Sequence, residues 1–297
     1  MNFTLKQLQI FVSVVTTGSM LAASHELNIS QPAVSSAITE LETNLGAPLF
    51  DRWKKRIILN ERGRALLPMA QLLLANAREV EMTFGSFEKR PGGTLRIGAS
   101  MTLAGYVIPR IIAGFLNEFP LTRVELISSN RSNIISRVED CTLDIGIIAG
   151  KSQKPHIYNR LCMTDELCVF ARAGHPLACR STVTPDDLAN AEWIMREEGS
   201  GTLAAFLNVF PAELSRMKVI MECDNLESIK RGVESSDALG CISVNALRGD
   251  VAAGIFSILP TPYLNLRREC YTLIHEQRRG SMLLNAFHDR LSGAAYL

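Results

Sequence analysis

Three short polar segments stand where apolar runs end, and their side chains suit the capture of an anion. Ser100-Met101-Thr102 follows the run TLRIGA, Ser128-Ser129-Asn130 follows VELI, and Gly199-Ser200-Gly201-Thr202 leads into a helical pattern. Hydroxyls and free backbone N–H groups at helix starts make a ready site for a carboxylate or an inorganic oxyanion. Helix capping explains the same residue types. Ligand contact is therefore expected first of Thr102 and Thr202, then of Ser100, Met101, Ser129, Asn130, Gly199, Ser200 and Gly201. Cations are scarce beside these segments: Arg131 could serve, and gripping a dicarboxylate would want a second arginine.

Two of the segments also touch enzyme motifs. Gly199-Ser200-Gly201-Thr202-Leu203-Ala204 satisfies G-x-G-x-x-A, with Glu222 and Asp224 about twenty residues on, as in a dinucleotide-binding fingerprint. It lies deep in the chain behind Arg196-Glu197-Glu198 and does not open the first βαβ unit, which argues against a dehydrogenase. Gly98-Ala99-Ser100-Met101-Thr102 has threonine where the hydrolase motif G-x-S-x-G has its last glycine, the residue that permits the strained elbow. The histidines, His25, His156, His175, His275 and His288, are scattered singly, and His175 before Pro176 is expected in a surface turn. None of the 7 cysteines forms C-x-x-C, and no Cys/His cluster has zinc spacing. Reduced, mostly buried thiols are expected, with Cys162 and Cys168 as a redox pair to test. Neither enzymatic activity, cofactor nor metal is expected.

A second constellation lies near the N-terminus. Ser30 can cap a helix that tolerates Pro32 in its first turn. Val34, Ala37, Ile38, Leu41 and Leu45 form one apolar stripe, and Gly46 ends it. The opposite face carries Gln31, Ser35, Ser36 and Thr39, small hydrogen-bonding groups that fit a groove of base edges; Pro32 and Ala33 offer apolar contact. Leu49 to Leu59 is expected to be a two-stranded wing with a basic tip, Arg52, Lys54, Lys55 and Arg56, suited to phosphates or a minor groove.

The elements that must position these groups follow from periodicity and punctuation. Thr4 caps a helix presenting Leu5, Leu8, Phe11, Val12 and Val15. Thr17-Gly18-Ser19 breaks it, and Ser19 caps a short helix over 20–27. Residues 61–90 read as one long helix in which Leu66, Ala70, Leu73, Ala77, Val80, Phe84 and Phe87 follow heptad spacing, a dimerisation seam, with Pro68 expected to kink its first half. Pro91-Gly92-Gly93 marks a boundary. Beyond it TLRIGAS, VELISS, LDIGIIAG, ELCVFARA, EWIMRE, KVIMECD, ALGCISV and ECYTLIHE are strands alternating with helices, among them one over 103–118 and one over 132–140. That alternation implies doubly wound α/β layers in two lobes with a cleft between them. Of the 297 residues 47% are hydrophobic, ample for such cores. A net charge of +1 means that any nucleic-acid contact is local. No apolar stretch reaches the ~18 residues of a membrane span, and the N-terminus lacks signal-peptide features, so a cytoplasmic protein is expected.

The first 65 residues resemble the LysR-type transcriptional regulators. The matching positions are Leu8, Phe11-Val12, Gly18-Ser19, Ala22-Ala23, Leu27, Ser30-Gln31-Pro32-Ala33-Val34-Ser35, Ile38, Leu41-Glu42, Leu45-Gly46, Leu49-Phe50-Asp51-Arg52 and Gly63, without gaps. LDIGII, EEGSGT and VESSDALGCIS carry a looser likeness through the rest. The resemblance implies an all-α winged helix-turn-helix (1–60), a long linker helix (61–92) and a two-lobed α/β effector domain of the periplasmic-binding-protein kind (93–297). Lobe I would comprise 94–162 and 268–297, lobe II 163–267, with the first and third polar segments facing each other across the cleft. It further implies double-stranded DNA and a small effector as partners, a homotetramer built as a dimer of dimers, and contact with RNA polymerase. Many members carry arginine at the position of Ser36. That departure, with no arginine or lysine in the recognition helix, shifts the burden of affinity to the wing and to two-fold symmetry.

Overall fold

The computed structural model describes residues 2–53, 56–84, 93–209 and 217–294. They fall into two units, Met1–Phe87 with Asp140–Thr142, and Glu88–Glu139 with Leu143–Leu297.

Caps set the helices of the first unit. Thr4 Oγ1 accepts from Gln7 N at 3.2 Å while Gln7 Oε1 accepts from Thr4 N at 2.9 Å, a reciprocal box that starts α1 (Leu5–Thr17). Gly18 ends α1 at φ +69°, a left-handed conformation that costs glycine nothing. Ser19 caps α2 (Met20–Glu26), Ser30 caps α3 (Gln31–Leu45), and Gly46 closes α3 at φ +70°. Leu8, Phe11, Val14, Ala23, Val34, Ile38, Leu41, Leu49 and Ala70 are buried in one core. The stripe on α3 is the expected one from Val34 to Leu41, but Leu45 in the last turn is exposed; on α1 the buried face runs through Leu8, Phe11 and Val14, and Leu5 in the first turn stays exposed. Strands β1 (Phe50–Trp53) and β2 (Arg56–Leu59) pair antiparallel, forming the expected wing. Glu42 on α3 holds its base, Oε1 accepting from Leu49 N at 2.7 Å. Lys54 and Lys55 lie outside the described residues, as do the side chains of Arg52 and Arg56.

Helix α4 (Glu61–Phe84) continues through Pro68 as one helix. The heptad positions divide along it. Ala70 is fully buried in the core of its own unit and Leu66 packs against that core, so the early positions cover their own domain. Leu73 and Val80 are 44% and 58% exposed. The Phe84 side chain and Phe87 lie outside the description.

In the second unit, nine strands among the described residues form one sheet. They are β3 (Gly93–Ser100), β4 (Thr122–Ser129), β5 (Ile145–Ala149), β6 (Ile157–Arg172), β7 (Glu192–Arg196), β8 (Lys218–Cys223), β9 (Leu239–Ser243), β10 (Phe256–Ile258) and β11 (Arg267–His275). Their order is β4-β3-β5-β11-β6-β9-β7-β8, with β10 also on β6. The expected alternation of strands and helices holds, and β6 divides the sheet into two lobes. Its first part, from Ile157 to Glu166, pairs with β11, and its second pairs with β9 and β10. In the second lobe successive residues bury on opposite faces, as strand geometry requires. Leu167, Val169 and Ala171 enter one core with Trp193 and Phe206; Cys168 and Phe170 enter the other with Ile194, Ile229 and Val233.

Three elements differ from expectation. The helix expected over 103–118 is two, α5 (Met101–Tyr106) and α6 (Ile108–Glu118), because Pro109 has no N–H to give to a preceding turn and instead occupies the first turn of α6. Strand β6 begins at Ile157, nine residues before the expected ELCVFARA strand, and β10 carries no pattern that marked it. Helices α7 (Arg131–Glu139), α8 (Pro185–Ala189), α9 (Gly201–Val209), α10 (Leu226–Glu234), α11 (Val244–Ala252) and α12 (Met282–Ala294) cover the faces. Among the described residues, no single helix is long and apolar enough to cross a membrane.

Candidate functional site

Parallel pairing brings the first two polar segments to one edge of the sheet. β3 and β4 run in register with Ser100 opposite Ser129, so both strands end together. Neighbouring β5 ends at Ala149. From the other lobe, β7 ends at Arg196 and the chain turns through Gly199, at φ +82°, into α9. The left-handed turn at Gly199 needs its missing Cβ. Ser100, Met101, Thr102, Ser129, Asn130, Gly199, Ser200, Gly201 and Thr202 all line one cavity of about 30 Å³ between the lobes. That is space for a group of a few heavy atoms.

Several of these side chains are committed elsewhere. Asn130 Oδ1 accepts from Asn133 N at 2.9 Å and caps α7, which is the capping role the residue type allows. Ser129 Oγ accepts from Asn133 Nδ2 at 2.7 Å and keeps its own proton. Ser200 Oγ accepts from Thr202 N at 3.2 Å. Thr102 and Thr202 are 2% and 3% exposed, and the Thr102 hydroxyl has no partner among the described residues. Thr202 Oγ1 accepts from Arg268 Nη1 at 3.1 Å. With one lone pair engaged by a cation, the Thr202 hydroxyl still has its proton to donate.

The cations that the sequence left wanting come from three separate strand ends. Arg131, Arg196 and Arg268 all line the cavity. Arg131 donates to Ala149 O at 2.5 Å and Lys151 O at 2.6 Å, and burial lowers its guanidinium pKa from the ordinary value. Arg196, at the end of β7, is held by Glu197: Nε to Oε2 is 2.7 Å and Nη2 to Oε1 is 2.8 Å. Arg268 on β11 stands opposite Asp165 on β6 and donates to its Oδ2 through Nε and Nη2, at 2.9 and 2.7 Å. Ser243 and Asn245 complete the shell of Asp165, which is 1% exposed. A buried carboxylate with this many donors is stable only as a set, since each member neutralises or satisfies another.

The motif alternatives meet contrary geometry. Ser100 has ordinary extended backbone, φ −59° and ψ 148°, and not the strained elbow of a hydrolase. No histidine lines the cavity. His175 is buried and not in a surface turn: its Nδ1 accepts from Leu177 N at 3.1 Å and starts a 3₁₀ turn. Cys162 and Cys168 are both buried, and burial pushes each thiol up to about 12. Such thiols are protonated at neutral pH and poor nucleophiles. Among the described residues, no group of His, Cys, Asp and Glu could hold a metal ion.

The other candidate face lies on α3. Gln31, Pro32, Ala33, Ser36 and Thr39 are exposed and Ser35 is half-buried, so the expected polar face is open along the helix. Ser30 Oγ accepts from Ala33 N at 3.4 Å as the cap. Thr39 Oγ1 donates to Ser35 O at 3.0 Å, and Ser36 Oγ to Glu40 Oε1 at 3.3 Å. Glu40, which no sequence motif marks, also stands here, and Gln7 Nε2 donates to it from α1 at 3.1 Å.

Known proteins carry the same two parts. Residues 5–64 match the family model described as bacterial regulatory helix-turn-helix protein, lysR family, and residues 88–295 match the LysR substrate binding domain. The chain is 38% identical over 289 residues to the uncharacterized HTH-type transcriptional regulator YeiE of Escherichia coli (strain K12), covering 97% of each. A solved full-length OxyR variant from Pseudomonas aeruginosa shares the fold at TM-score 0.76 and 19% identity, over 98% of this chain and 95% of that one. The regulatory domain of CcmR from Synechocystis, solved in complex with 2-PG, aligns at TM-score 0.63 and 27% identity, over 68% of this chain and 97% of that one.

Proposed function

The chain belongs to the LysR family of DNA-binding transcriptional regulators, and from that premise we propose that the cleft between its lobes receives a small anion, a carboxylate or an inorganic oxyanion, as effector. One observation carries this: three segments far apart in sequence converge on one cavity, where Arg268 donates to the Thr202 hydroxyl and leaves that hydroxyl its own proton to give. The 2-PG-bound CcmR domain is consistent with a ligand in such a domain. Thr102, Thr202, Ser100 and Ser129 offer hydroxyls, Met101 an apolar wall, and Gly199, Ser200 and Gly201 the N-terminus of α9, where backbone N–H groups favour negative charge. Asn130 serves chiefly as the cap of α7. Arg131 supplies the charge.

On DNA, α3 enters the major groove with Gln31, Pro32, Ala33, Ser35, Ser36 and Thr39 toward base edges and Ser30 capping its start. Arg52, Lys54, Lys55 and Arg56 hold phosphates. The exposed later positions of α4, Leu73 and Val80, make the seam of a homodimer, and two dimers make the tetramer. Two recognition helices then sit about 34–36 Å apart. The parts are a DNA-binding domain over 1–60, a linker over 61–92 and an effector domain over 93–297, with lobe I at about 94–162 and 268–297 and lobe II at about 163–267. The protein works in the cytoplasm, beside RNA polymerase. Anion binding closes the lobes, and it shifts the assembly only as far as the anion prefers one state over the other.

The test is a titration of labelled DNA from immediately upstream of the protein's own gene, at two salt concentrations, with random DNA as competitor. Binding that resists the competitor, and that a panel of small anions then alters, is the expected result. Binding that random DNA removes, here and after selection from a random library, would refute sequence-specific regulation.

A further inference from the structure

The charges around the cavity do not balance. Arg131, Arg196 and Arg268 face two carboxylates, Glu197 and Asp165, which leaves a formal excess of one positive charge. The two carboxylates differ in kind. Asp165 is 1% exposed, sits behind Arg268, and is saturated by Ser243, Asn245 and two guanidinium N–H groups. Glu197 lines the cavity itself, its side chain is 23% exposed, and among the described residues Arg196 alone engages its oxygens. Arg131 rests on two main-chain carbonyls and, among the described residues, adds a cation with no carboxylate on it.

We propose that Glu197 is a charge-selecting residue of the cleft: by taking up the charge of Arg196 at the cavity wall, it sets the site for a singly charged oxyanion and against a doubly charged one of the same shape. This rests on the cleft being an anion site. A like charge a few ångströms from a bound anion disfavours each added negative charge, and a repulsive element of this kind gives specificity rather than affinity. Glu197→Gln keeps the size and the acceptor oxygen but leaves Arg196 with a net charge facing the cavity.

Perchlorate and sulfate are tetrahedral XO₄ anions with one and two charges at neutral pH, which makes them matched probes. Their affinities for the full-length protein are measured by calorimetry at fixed ionic strength. Their hydration differs, but that difference is common to every variant and cancels when ratios are compared. The expected result is that Glu197→Gln raises the sulfate-to-perchlorate affinity ratio at least tenfold. Glu197→Asp, which keeps the charge, leaves the ratio within threefold of the parent. Glu198→Gln changes the protein's net charge equally but at an exposed residue outside the cavity wall, and leaves the ratio unmoved. An unchanged ratio in Glu197→Gln with both anions still bound overturns the inference, as does an equal gain for both, which would make Glu197 a displaced plug. Neither anion binding any of the four proteins, while all melt cooperatively, would remove the anion site itself and the inference with it.

Discussion

Replacing Thr202 by valine is the sharpest test of the cleft. The two side chains are nearly the same shape, and Thr202 is 3% exposed, so packing changes little. What is lost is one hydroxyl that accepts from Arg268 at 3.1 Å and whose proton, on the proposed reading, goes to the anion. A hydrogen bond to a charged group contributes about 1.5–3 kcal/mol, so affinity for a bound anion should fall roughly 10- to 150-fold. Arg268 Nη1 loses its acceptor too, which costs stability on the order of 1–3 kcal/mol. Thr202→Ser should return the affinity to within a few fold, because it restores the oxygen at the same position. Calorimetry of both variants with acetate and sulfate, beside DNA titrations, separates the effects: anion binding falls and DNA affinity without anion stays. Anion affinity within twofold of the parent in Thr202→Val would refute the orientation of that proton and the placement of the ligand.

Ser35→Ala should relax sequence choice on DNA while leaving the salt slope unchanged, since the proposed docking turns Ser35 toward base edges; equal losses on specific and random DNA would remove it from the readout. Leu73→Asp places a charge on an exposed apolar position of α4 and should halve the mass seen by light scattering; an unchanged mass would refute the seam. Asp165→Asn leaves Arg268 buried without a counter-charge, which costs about 3–5 kcal/mol and should lower the midpoint of the effector domain by roughly 6–20 °C. A shift of one or two degrees would show that the pair adds little. Burial pushes Cys162, Cys168 and Cys270 up to about 12, whereas Cys179 is exposed. Brief iodoacetamide treatment at neutral pH should therefore add one adduct, at Cys179, by mass spectrometry; rapid labelling of Cys162 or Cys168 would reopen a redox role.

The winged helix-turn-helix was legible because its signals are local. Thr4, Ser19 and Ser30 are caps whose partners lie three residues on, and Gly18 and Gly46 stop their helices by their own backbone freedom. Where the deciding contact is distant, local signals do not reveal it. Pro109 fits equally as an early residue of one long helix or the first turn of a second, and in the fold it takes the second place, with Leu103 and Ile108 both buried. The strand expected from Glu166 begins at Ile157 instead, and Arg268, 103 residues after Asp165, neutralises that aspartate across the ladder. The heptad on α4 was periodic throughout, yet Ala70 serves the core of its own unit. A repeat records which face is apolar, not what covers it.

The cleft shows the same division between what spacing states and what folding adds. Hydroxyl and glycine segments at strand ends were visible, since strand-to-helix junctions mark themselves by composition. Their charge was not. Arg196 reads as one member of a surface run with Glu197 and Glu198, and Arg268 as the second of an ordinary pair with Arg267. What makes them cleft residues is position: β7 and β11 deliver both guanidinium groups to one cavity. In each case a carboxylate comes with the arginine, and burying either charge alone would cost more than the fold can spare. On the proposed anion site, two of the three cations are thus already neutralised and Arg131 alone rests on main-chain carbonyls. The proposed selectivity then follows from how completely each cation is neutralised, by one saturated aspartate behind the wall and one glutamate on it.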